Sequence, residues 1–329
     1  MMTASKPKLS EIIRCHPATL SERSVSDTDR MPAEFHPELR RIARFAPRQP
    51  VTPRSLPLIR ALSRLQGLRE PDDVEVLTLA SGVGVRLYRP ADTQGPGPAL
   101  VWIHGGGYVI GRAVQDDALC RRFARVLGAT VASVEYRLAP EYPYPTPVED
   151  CYSALTWLAG LPAVDPKRVA IGGASAGGGL AAALAFVARD RGEVPVAAQL
   201  LVYPMLDDRS ADRTDVDDSG HRLWSQGSNR FGWDAYLGDA DRNVAVPARR
   251  EDLRGLPPAW MGVGTLDLFH DEDLAYAERL KAAGVPCEVE VVPGAFHGFD
   301  AVAAKAEVSR SFFDSQCAML LRAFEPAAA

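Results

Sequence analysis

Short apolar runs rich in β-branched residues alternate along the chain with longer stretches of helical spacing. From residue 98 onward there are six runs of the strand type and five stretches in which apolar residues recur every three or four positions; four of these stretches lie between runs and the fifth follows the last run. The runs lie at 98–104, 130–136, 168–173, 198–204, 258–265 and 288–294, and the helical stretches at 115–127, 146–159, 177–190, 271–283 and 303–323. This alternation predicts an α/β domain with a mostly parallel sheet and helices on both faces.

Two further runs, at 74–79 and 83–90, precede this region and are separated only by Ala80-Ser81-Gly82. Such a short connection predicts an antiparallel hairpin. We therefore expect eight strands in all.

Two regions interrupt the pattern. The first 70 residues are rich in Pro, Arg and Ser and contain two amphipathic segments, at 32–45 and 55–67, after a tail that we expect to fray. The region from 205 to 250 lacks a strand pattern; its first half is acidic, which predicts a solvated loop, and insertions of this length usually form a lid or cap. The predicted division is an N-terminal cap segment at 1–70, a core at 71–204, a cap insertion at 205–250 and the rest of the core at 251–329.

The sequence Gly-Ala-Ser-Ala-Gly at 173–177 joins a predicted strand to a predicted helix. Glycines two residues before and after Ser175 allow a sharp turn, because a Cβ at either position would collide with the neighbouring strand or helix. This is the context of a nucleophile elbow, which exposes its serine at the end of the sheet. An incidental serine in a turn is one alternative; a dinucleotide loop at 177–182 is another, but the strand that follows lacks the expected acidic residue.

A serine hydroxyl needs a histidine base, which in this fold comes later in the chain than the serine. Three histidines follow Ser175: His221 lies in the insertion, His270 begins a helix, and His297 lies in a glycine-flanked loop directly after a strand. Only His297 is expected at the carboxyl edge of the sheet, so we predict that it is the base.

The histidine needs an acidic partner. Asp267 follows the strand at 258–265 and is the predicted orienting acid, with Asp271 as the alternative, although acids at 271–273 also suit the N-terminus of a helix. Donors for an oxyanion are expected from the glycines at 105–107, after another strand, and from the N–H of Ala176. His104 is expected to hold this loop through hydrogen bonds.

Composition narrows the function classes. The chain of 329 residues has 37 basic and 42 acidic residues, a net charge of -5, so no basic excess points to nucleic acid. The first 20 residues lack the apolar core of a signal peptide, and no apolar stretch is long enough to span a membrane, so we expect a cytoplasmic protein. The five scattered cysteines, Cys15 among them, fit a reducing compartment and indicate no metal site.

Five motifs together resemble the hormone-sensitive-lipase-like esterases of the α/β-hydrolase superfamily. They are HGGG at 104–107, YRLAPE at 136–141, GASAG at 173–177, DLFHDE at 267–272 and HGF at 297–299. The resemblance implies an α/β-hydrolase fold with a helical cap and hydrolysis of short- to medium-chain carboxylic esters without a cofactor. It implies Ser175, Asp267 and His297 as a catalytic triad, and Gly106, Gly107 and Ala176 as oxyanion donors.

Two positions depart from the family pattern. Ala174 stands where Asp or Thr is common, and Leu268 replaces a proline that often follows the acid. Glu141 and Asp150 match acidic positions of the family and are expected to anchor the structure near the site.

The predicted function is therefore a serine carboxylesterase that acts on a small-molecule ester through an acyl-enzyme. An amidase or deacetylase with the same triad and a non-catalytic ligand binder are the alternatives. A homodimer is considered possible. The candidate substrate-contacting residues are Tyr108, Trp224, Phe231 and Trp233, although packing within the insertion explains its aromatic residues equally well.

Overall fold

The structure, a computed structural model, describes residues 34–48, 51–65, 71, 73–91 and 95–325. The predictions for the N-terminal tail and for Cys15 fall outside these residues.

Eight strands of the described chain form a single sheet. They are β1 (Glu75–Thr78), β2 (Gly84–Tyr88), β3 (Gly97–Ile103), β4 (Thr130–Glu135), β5 (Val164–Ala174), β6 (Val196–Val202), β7 (Ala259–Leu266) and β8 (Cys287–Phe296). Their order in space is β1-β2-β4-β3-β5-β6-β7-β8, with β2 antiparallel to both of its neighbours and all other pairs parallel. The predicted eight-stranded, mostly parallel sheet and its N-terminal hairpin are confirmed.

Helices occupy the predicted helical stretches. The α-helices are α1 (Arg40–Ala43), α2 (Leu56–Ser63), α3 (Asp117–Leu127), α4 (Thr146–Ala159), α5 (Ala176–Arg191), α6 (Gln226–Leu237), α7 (Arg242–Ala245), α8 (His270–Ala282), α9 (Phe299–Val302) and α10 (Glu307–Ala323). Short 3-10 helices lie at Ala113–Asp116, Asp208–Asp212 and Pro247–Arg249. The amphipathic segment at 32–45 forms a shorter helix than predicted, because Pro37 donates no backbone N–H and the chain enters the helix only after a turn.

Side chains of each central strand alternate between two apolar layers. On β3, Leu100 and Trp102 belong to one apolar layer together with residues of α3 and α10, whereas Ala99, Val101 and Ile103 belong to the other together with residues of α4, α5 and α8. All five side chains are buried. Since both faces of the strand are apolar, both must be covered, and this explains why helices lie on the two sides.

The N-terminal segment contacts the insertion. The Arg222 Nε donates to the Ala43 carbonyl at 2.7 Å, and the Leu223 N–H donates to the Pro47 carbonyl at 2.7 Å. The two irregular regions of the sequence therefore pack against each other beside the carboxyl ends of the strands.

The insertion at 205–250 contains helices and no strand, as predicted. The expectation of a solvated acidic loop holds for most of 212–219 but is wrong for Asp208, which is only 3% exposed. Its carboxylate accepts hydrogen bonds from Arg242 at 2.5 Å and from Arg249 at 2.6 Å. These later arginines neutralise the charge, so the start of the insertion can lie against the core.

Candidate active site

Ser175 lies on a sharp turn between β5 and α5, with φ 58° and ψ -123°. The flanking glycines make this turn possible. A Cβ on Gly173 would lie 2.6 Å from the Ile103 carbonyl oxygen, and one on Gly177 would lie 2.5 Å from the His104 carbonyl oxygen. Both distances are too short for any side chain, which confirms the steric reason for the glycine spacing.

Three side chains that are distant in sequence form a hydrogen-bonded chain. The His297 Nε2 lies 2.9 Å from the Ser175 Oγ, and its Nδ1 lies 2.9 Å from the Asp267 Oδ2. A carboxylate only accepts hydrogen bonds, so the proton belongs on Nδ1 and the lone pair of Nε2 faces the serine hydroxyl. This arrangement is suited to withdrawing a proton from Ser175.

The ends of β7 and β8 deliver the acid and the histidine to this point. The second carboxylate oxygen of Asp267 accepts the Phe269 N–H at 3.0 Å, and the Asp267 side chain is fully buried. The His297 ring packs edge-to-face against Tyr203 and Phe269, with centroids 4.9 and 5.1 Å away. These contacts hold the imidazole in one orientation.

The two other histidines and the alternative acid are not part of this hydrogen-bonded chain. The Nδ1 of His270 is 3.0 Å from Asp271, and Asp271 also accepts from Arg213 at 2.8 Å on the surface. His221 is buried, and desolvation lowers its pKa. Neither histidine forms a hydrogen bond with Ser175.

Three backbone N–H groups near Ser175 are candidates for binding an oxyanion. Gly106 and Gly107 have φ of 131° and 58°, which a residue with a side chain would adopt only under strain. Within the described residues, the N–H groups of Gly106, Gly107 and Ala176 donate no hydrogen bond to the protein. They therefore remain able to bind an oxyanion.

The insertion packs directly on this glycine loop. A Cβ on Gly107 would overlap the indole of Trp224, and a Cβ on Gly232 of α6 would lie 2.7 Å from the Gly107 carbonyl oxygen. The loop backbone is therefore held by the insertion as well as by the core.

His104 has a structural role, as predicted. Its ring is fully buried and stacks on Tyr136 at 4.2 Å between centroids, and its Nδ1 lies 2.9 Å from the Gly105 carbonyl oxygen. The Tyr136 hydroxyl donates to the His104 carbonyl at 3.0 Å. Desolvation lowers the pKa of the imidazole, which favours its neutral form.

A cavity of about 740 Å³ opens at Ser175. Of the four candidate substrate-contacting residues, Trp224 lines it, whereas Tyr108, Phe231 and Trp233 do not. Tyr108 instead stacks on Tyr236, with centroids 4.1 Å apart. These three residues pack in or against the apolar core, and their contact with a substrate stays a prediction.

Glu141 and Asp150 are structural anchors, as predicted. Asp150 is 2% exposed and accepts hydrogen bonds from both the backbone N–H of Arg137, at 2.9 Å, and its guanidinium. Glu141 accepts from Arg60 of α2 at 2.7 and 2.8 Å and so ties the N-terminal segment to the core.

Sequence reasoning missed three polar residues on the cavity wall. Tyr203 packs on His297, and its hydroxyl donates to Asp300 at 2.7 Å; Asp116 accepts from the Trp102 indole at 2.8 Å. Two of them had a usable signal, since Tyr203 directly follows β6 and Asp300 lies three residues after His297. Asp116 is the last residue of a 3-10 helix, where no strand end pointed to it.

The sequence pattern of a protein family described as the alpha/beta hydrolase fold matches residues 100–301. The esterase LipI of Mycobacterium tuberculosis is 36% identical over 278 residues, which cover 79% of this chain and 80% of that protein. The chain belongs to the α/β-hydrolase family. Within this family it is a hormone-sensitive-lipase-like esterase, which confirms the resemblance seen in the motifs.

Two further α/β-hydrolase relatives illustrate the same group. An ethyl acetate hydrolase of Pseudomonas putida is 37% identical over 252 residues, covering 70% of this chain and 76% of that protein. The solved structure of a bacterial heroin esterase superposes with a TM-score of 0.79 at 38% identity, covering 89% of this chain and 98% of that one.

The described residues contain neither a membrane-spanning helix nor a cluster of metal ligands. None of their helices has the length and apolarity needed to cross a membrane. No group of three or more His, Cys, Asp or Glu side chains in that part of the chain is arranged to hold a metal ion.

Proposed function

We propose that this esterase hydrolyses small carboxylic esters with Ser175 as nucleophile, His297 as general base and Asp267 as the orienting acid. The observation that carries the proposal is the placement of the His297 ring, with one nitrogen 2.9 Å from the serine oxygen and the other 2.9 Å from the carboxylate. The names of the relatives, two esterases and an ethyl acetate hydrolase among them, support ester hydrolysis.

The reaction proceeds in two stages. Nε2 of His297 takes the Ser175 proton while Oγ attacks the ester carbonyl, and Asp267 stabilises the imidazolium that forms. The imidazolium returns the proton to the leaving alcohol, which leaves an acyl group on Ser175. Water, activated by the same imidazole, then releases the acid and regenerates the serine.

The negative charge of each tetrahedral intermediate requires hydrogen-bond donors. We assign this role to the N–H groups of Gly106, Gly107 and Ala176, because the first two lie in a loop that a Cβ would block and the third begins α5 beside Ser175. Their lack of other acceptors among the described residues supports this assignment, and one such donor typically contributes about 10² to 10³ in kcat.

The nucleophile is tested by Ser175→Ala, with Ser63→Ala as a matched control because Ser63 lines the same cavity. Hydrolysis of p-nitrophenyl butanoate should be lost in the first variant and kept in the second. Labelling by an organophosphonate ester, mapped by peptide mass spectrometry, should fall on Ser175. Undiminished turnover by Ser175→Ala would overturn the assignment.

We expect esters with short acyl chains to be the best substrates, because the indole of Trp224 forms part of the cavity wall and narrows the cavity. A panel of p-nitrophenyl esters from acetyl to dodecanoyl should show its maximum at the short end. A maximum at dodecanoyl would contradict this. Comparing an ester with its matched anilide addresses the amidase alternative, since both reactions pass through the same type of oxyanion.

We also propose a cap, a cellular location and an oligomeric state for this protein. The N-terminal segment and the insertion at 205–250 form a cap over the core, supported by the hydrogen bonds that join them. A cytoplasmic location is supported by the unpaired state of Cys120, Cys151, Cys287 and Cys317. A homodimer is supported by the position of β8 at the edge of the sheet formed by the described strands, and light scattering after gel filtration tests it.

A further inference from the structure

The cavity that contains Ser175 continues beyond the triad into a polar recess between α3 and α10. We call this recess the acidic arm and define it by its polar lining residues, Asp116, Asp300, Ser309 and Gln316. Tyr203 lies between the triad and the arm, since its ring packs on His297 and its hydroxyl donates to Asp300. A substrate bound at Ser175 can therefore extend into the arm without leaving the cavity.

Two carboxylates of the arm have neutral partners only. Asp116 accepts from the indole of Trp102 at 2.8 Å, and Asp300 accepts from the hydroxyl of Tyr203 at 2.7 Å. Neither forms an ion pair with any other residue in the described part of the chain. Each keeps part of its surface open to the cavity.

Protein surrounds both carboxylates, and this is costly for charged groups. Desolvation raises the pKa of Asp116 to about 6, with a contribution from the nearby charge of Asp300, and desolvation also raises the pKa of Asp300. Burial therefore opposes ionisation of both carboxyls, and a cation bound in the arm would favour their charged forms.

A third polar group of the arm, the Ser309 hydroxyl, has no hydrogen-bond partner among the described residues. The Ser309 hydroxyl is almost completely buried, with the residue 3% exposed, and it forms no hydrogen bond with the described protein. Buried polar atoms are nearly always paired, so an unpaired hydroxyl on a cavity wall indicates a position where a ligand can bond.

The charge and shape of the arm select among ligands. Its carboxylates repel anions, and two carboxylates without a third acidic, His or Cys ligand among the described residues make a poor metal cage. The aromatic rings of Trp102, Tyr203 and Phe313 line the same cavity, and such rings favour alkylated cations. Arg122 also lines the cavity, and its guanidinium is stacked on Phe313 at 3.6 Å and directed towards Asp314.

We propose that the acidic arm binds a protonated amine of the substrate, so that this esterase prefers esters carrying a cationic nitrogen. The inference rests on the proposed esterase function and names its substrate class. An ammonium N–H in the arm can donate to one of the carboxylates or to the Ser309 hydroxyl, while the alkyl groups contact the rings. The cation supplies the counter-charge that Asp116 and Asp300 lack.

The test compares isosteric ester pairs that differ only by one charged nitrogen. For an amine in the acyl part, the pair is p-nitrophenyl 4-(dimethylamino)butanoate and p-nitrophenyl 5-methylhexanoate. For an amine in the alcohol part, it is 2-(dimethylamino)ethyl butanoate and 3-methylbutyl butanoate. In at least one pair, kcat/KM for the cationic ester should exceed that for the neutral ester by about tenfold or more at constant ionic strength, as expected for a charge pair removed from bulk water.

Variants assign the preference to the arm. Asp116→Asn and Asp300→Asn should each lower the ratio of kcat/KM for the cationic over the neutral ester, and the double variant should bring it close to one. The ratio is used because a change in the triad affects both esters alike. Glu251→Gln, which removes one charge from an exposed position, should keep the wild-type ratio.

The outcomes separate the two proposals. Equal rates for the cationic and neutral members of both pairs, or a ratio that survives in the double variant, would overturn the acidic arm while leaving the esterase intact. Absence of turnover of every ester, together with absence of phosphonate labelling of Ser175, would instead overturn the esterase function.

Discussion

Glu272, on the first turn of α8, is a half-buried residue whose ionisation should limit stability. Its Oε1 accepts the backbone N–H groups of Leu206 at 2.8 Å and Asp207 at 3.0 Å, whereas its Oε2 is buried without a partner among the described residues. Desolvation raises its pKa from 4.5 to about 8. Replacement by Gln keeps the acceptor and the shape and removes the titration.

The expected effect has a definite sign. A carboxyl with a raised pKa binds more protons in the folded than in the unfolded state, so stability is lost as pH rises from about 4.5 to about 8. At 1.36 kcal/mol per pH unit, the full window corresponds to about 5 kcal/mol, and we expect about 3 to 5 kcal/mol because the residue is only partly enclosed. Glu272→Gln should therefore match the wild type near pH 4.5 and exceed it progressively towards pH 8.

Urea unfolding followed by tryptophan fluorescence, at pH values from 5 to 8.5, measures this difference. Glu278→Gln is the matched control, because Glu278 lies on the same helix with its side chain 74% exposed. The control should track the wild type at every pH. A stability difference between Glu272→Gln and wild type that does not grow with pH would refute the reasoning.

Three further variants test packing and the cavity. Gly177→Ala places a Cβ against the Ile103 carbonyl and should destabilise the fold by about 1 to 3 kcal/mol, with loss of esterase activity, by thermal unfolding and a p-nitrophenyl butanoate assay. Asp150→Ala leaves the Arg137 N–H unpaired and should cost about 1 to 3 kcal/mol in urea unfolding. Trp224→Ala removes an indole from the cavity wall and should move the optimum of the ester panel towards longer acyl chains.

Each of these three predictions has a result that would contradict it. Gly160→Ala, whose Cβ would meet only ordinary contacts, and Asp252→Asn, in an exposed pair with Arg254, should both behave like wild type. If Gly177→Ala or Asp150→Ala were no more destabilised than these controls, the packing arguments would fail. An unchanged chain-length optimum in Trp224→Ala would show that this wall does not limit the acyl chain.

The strands, the elbow and the position of His297 could be predicted because each depends on local signals. A buried parallel strand needs a continuous apolar run, and a turn with φ above zero at Ser175 needs small residues on either side. The order of strands also places residues that follow them at one edge. Ser175, Asp267 and His297 each follow a strand, so their convergence could be predicted before any coordinate was known.

The internal contacts of the insertion and the acidic arm could not be predicted in the same way. Asp208 was expected in solvent because its neutralising partners, Arg242 and Arg249, come more than thirty residues later. Asp116 and Asp300 lie 184 positions apart in the sequence, and only the packing of α3 and α10 on one face brings them to the same wall. Such pairings depend on tertiary contacts that no periodicity encodes.

The indole of Trp224 fills the volume next to Gly107 that any larger residue would require. If the insertion moved away from the core, the loop proposed to hold the oxyanion would therefore lose one of its supports. Access of the substrate and stabilisation of the oxyanion are coupled for this reason. A chimera that takes its insertion from one relative and its glycine loop from another will fit only if both surfaces have changed together, which makes the two segments a single unit for engineering.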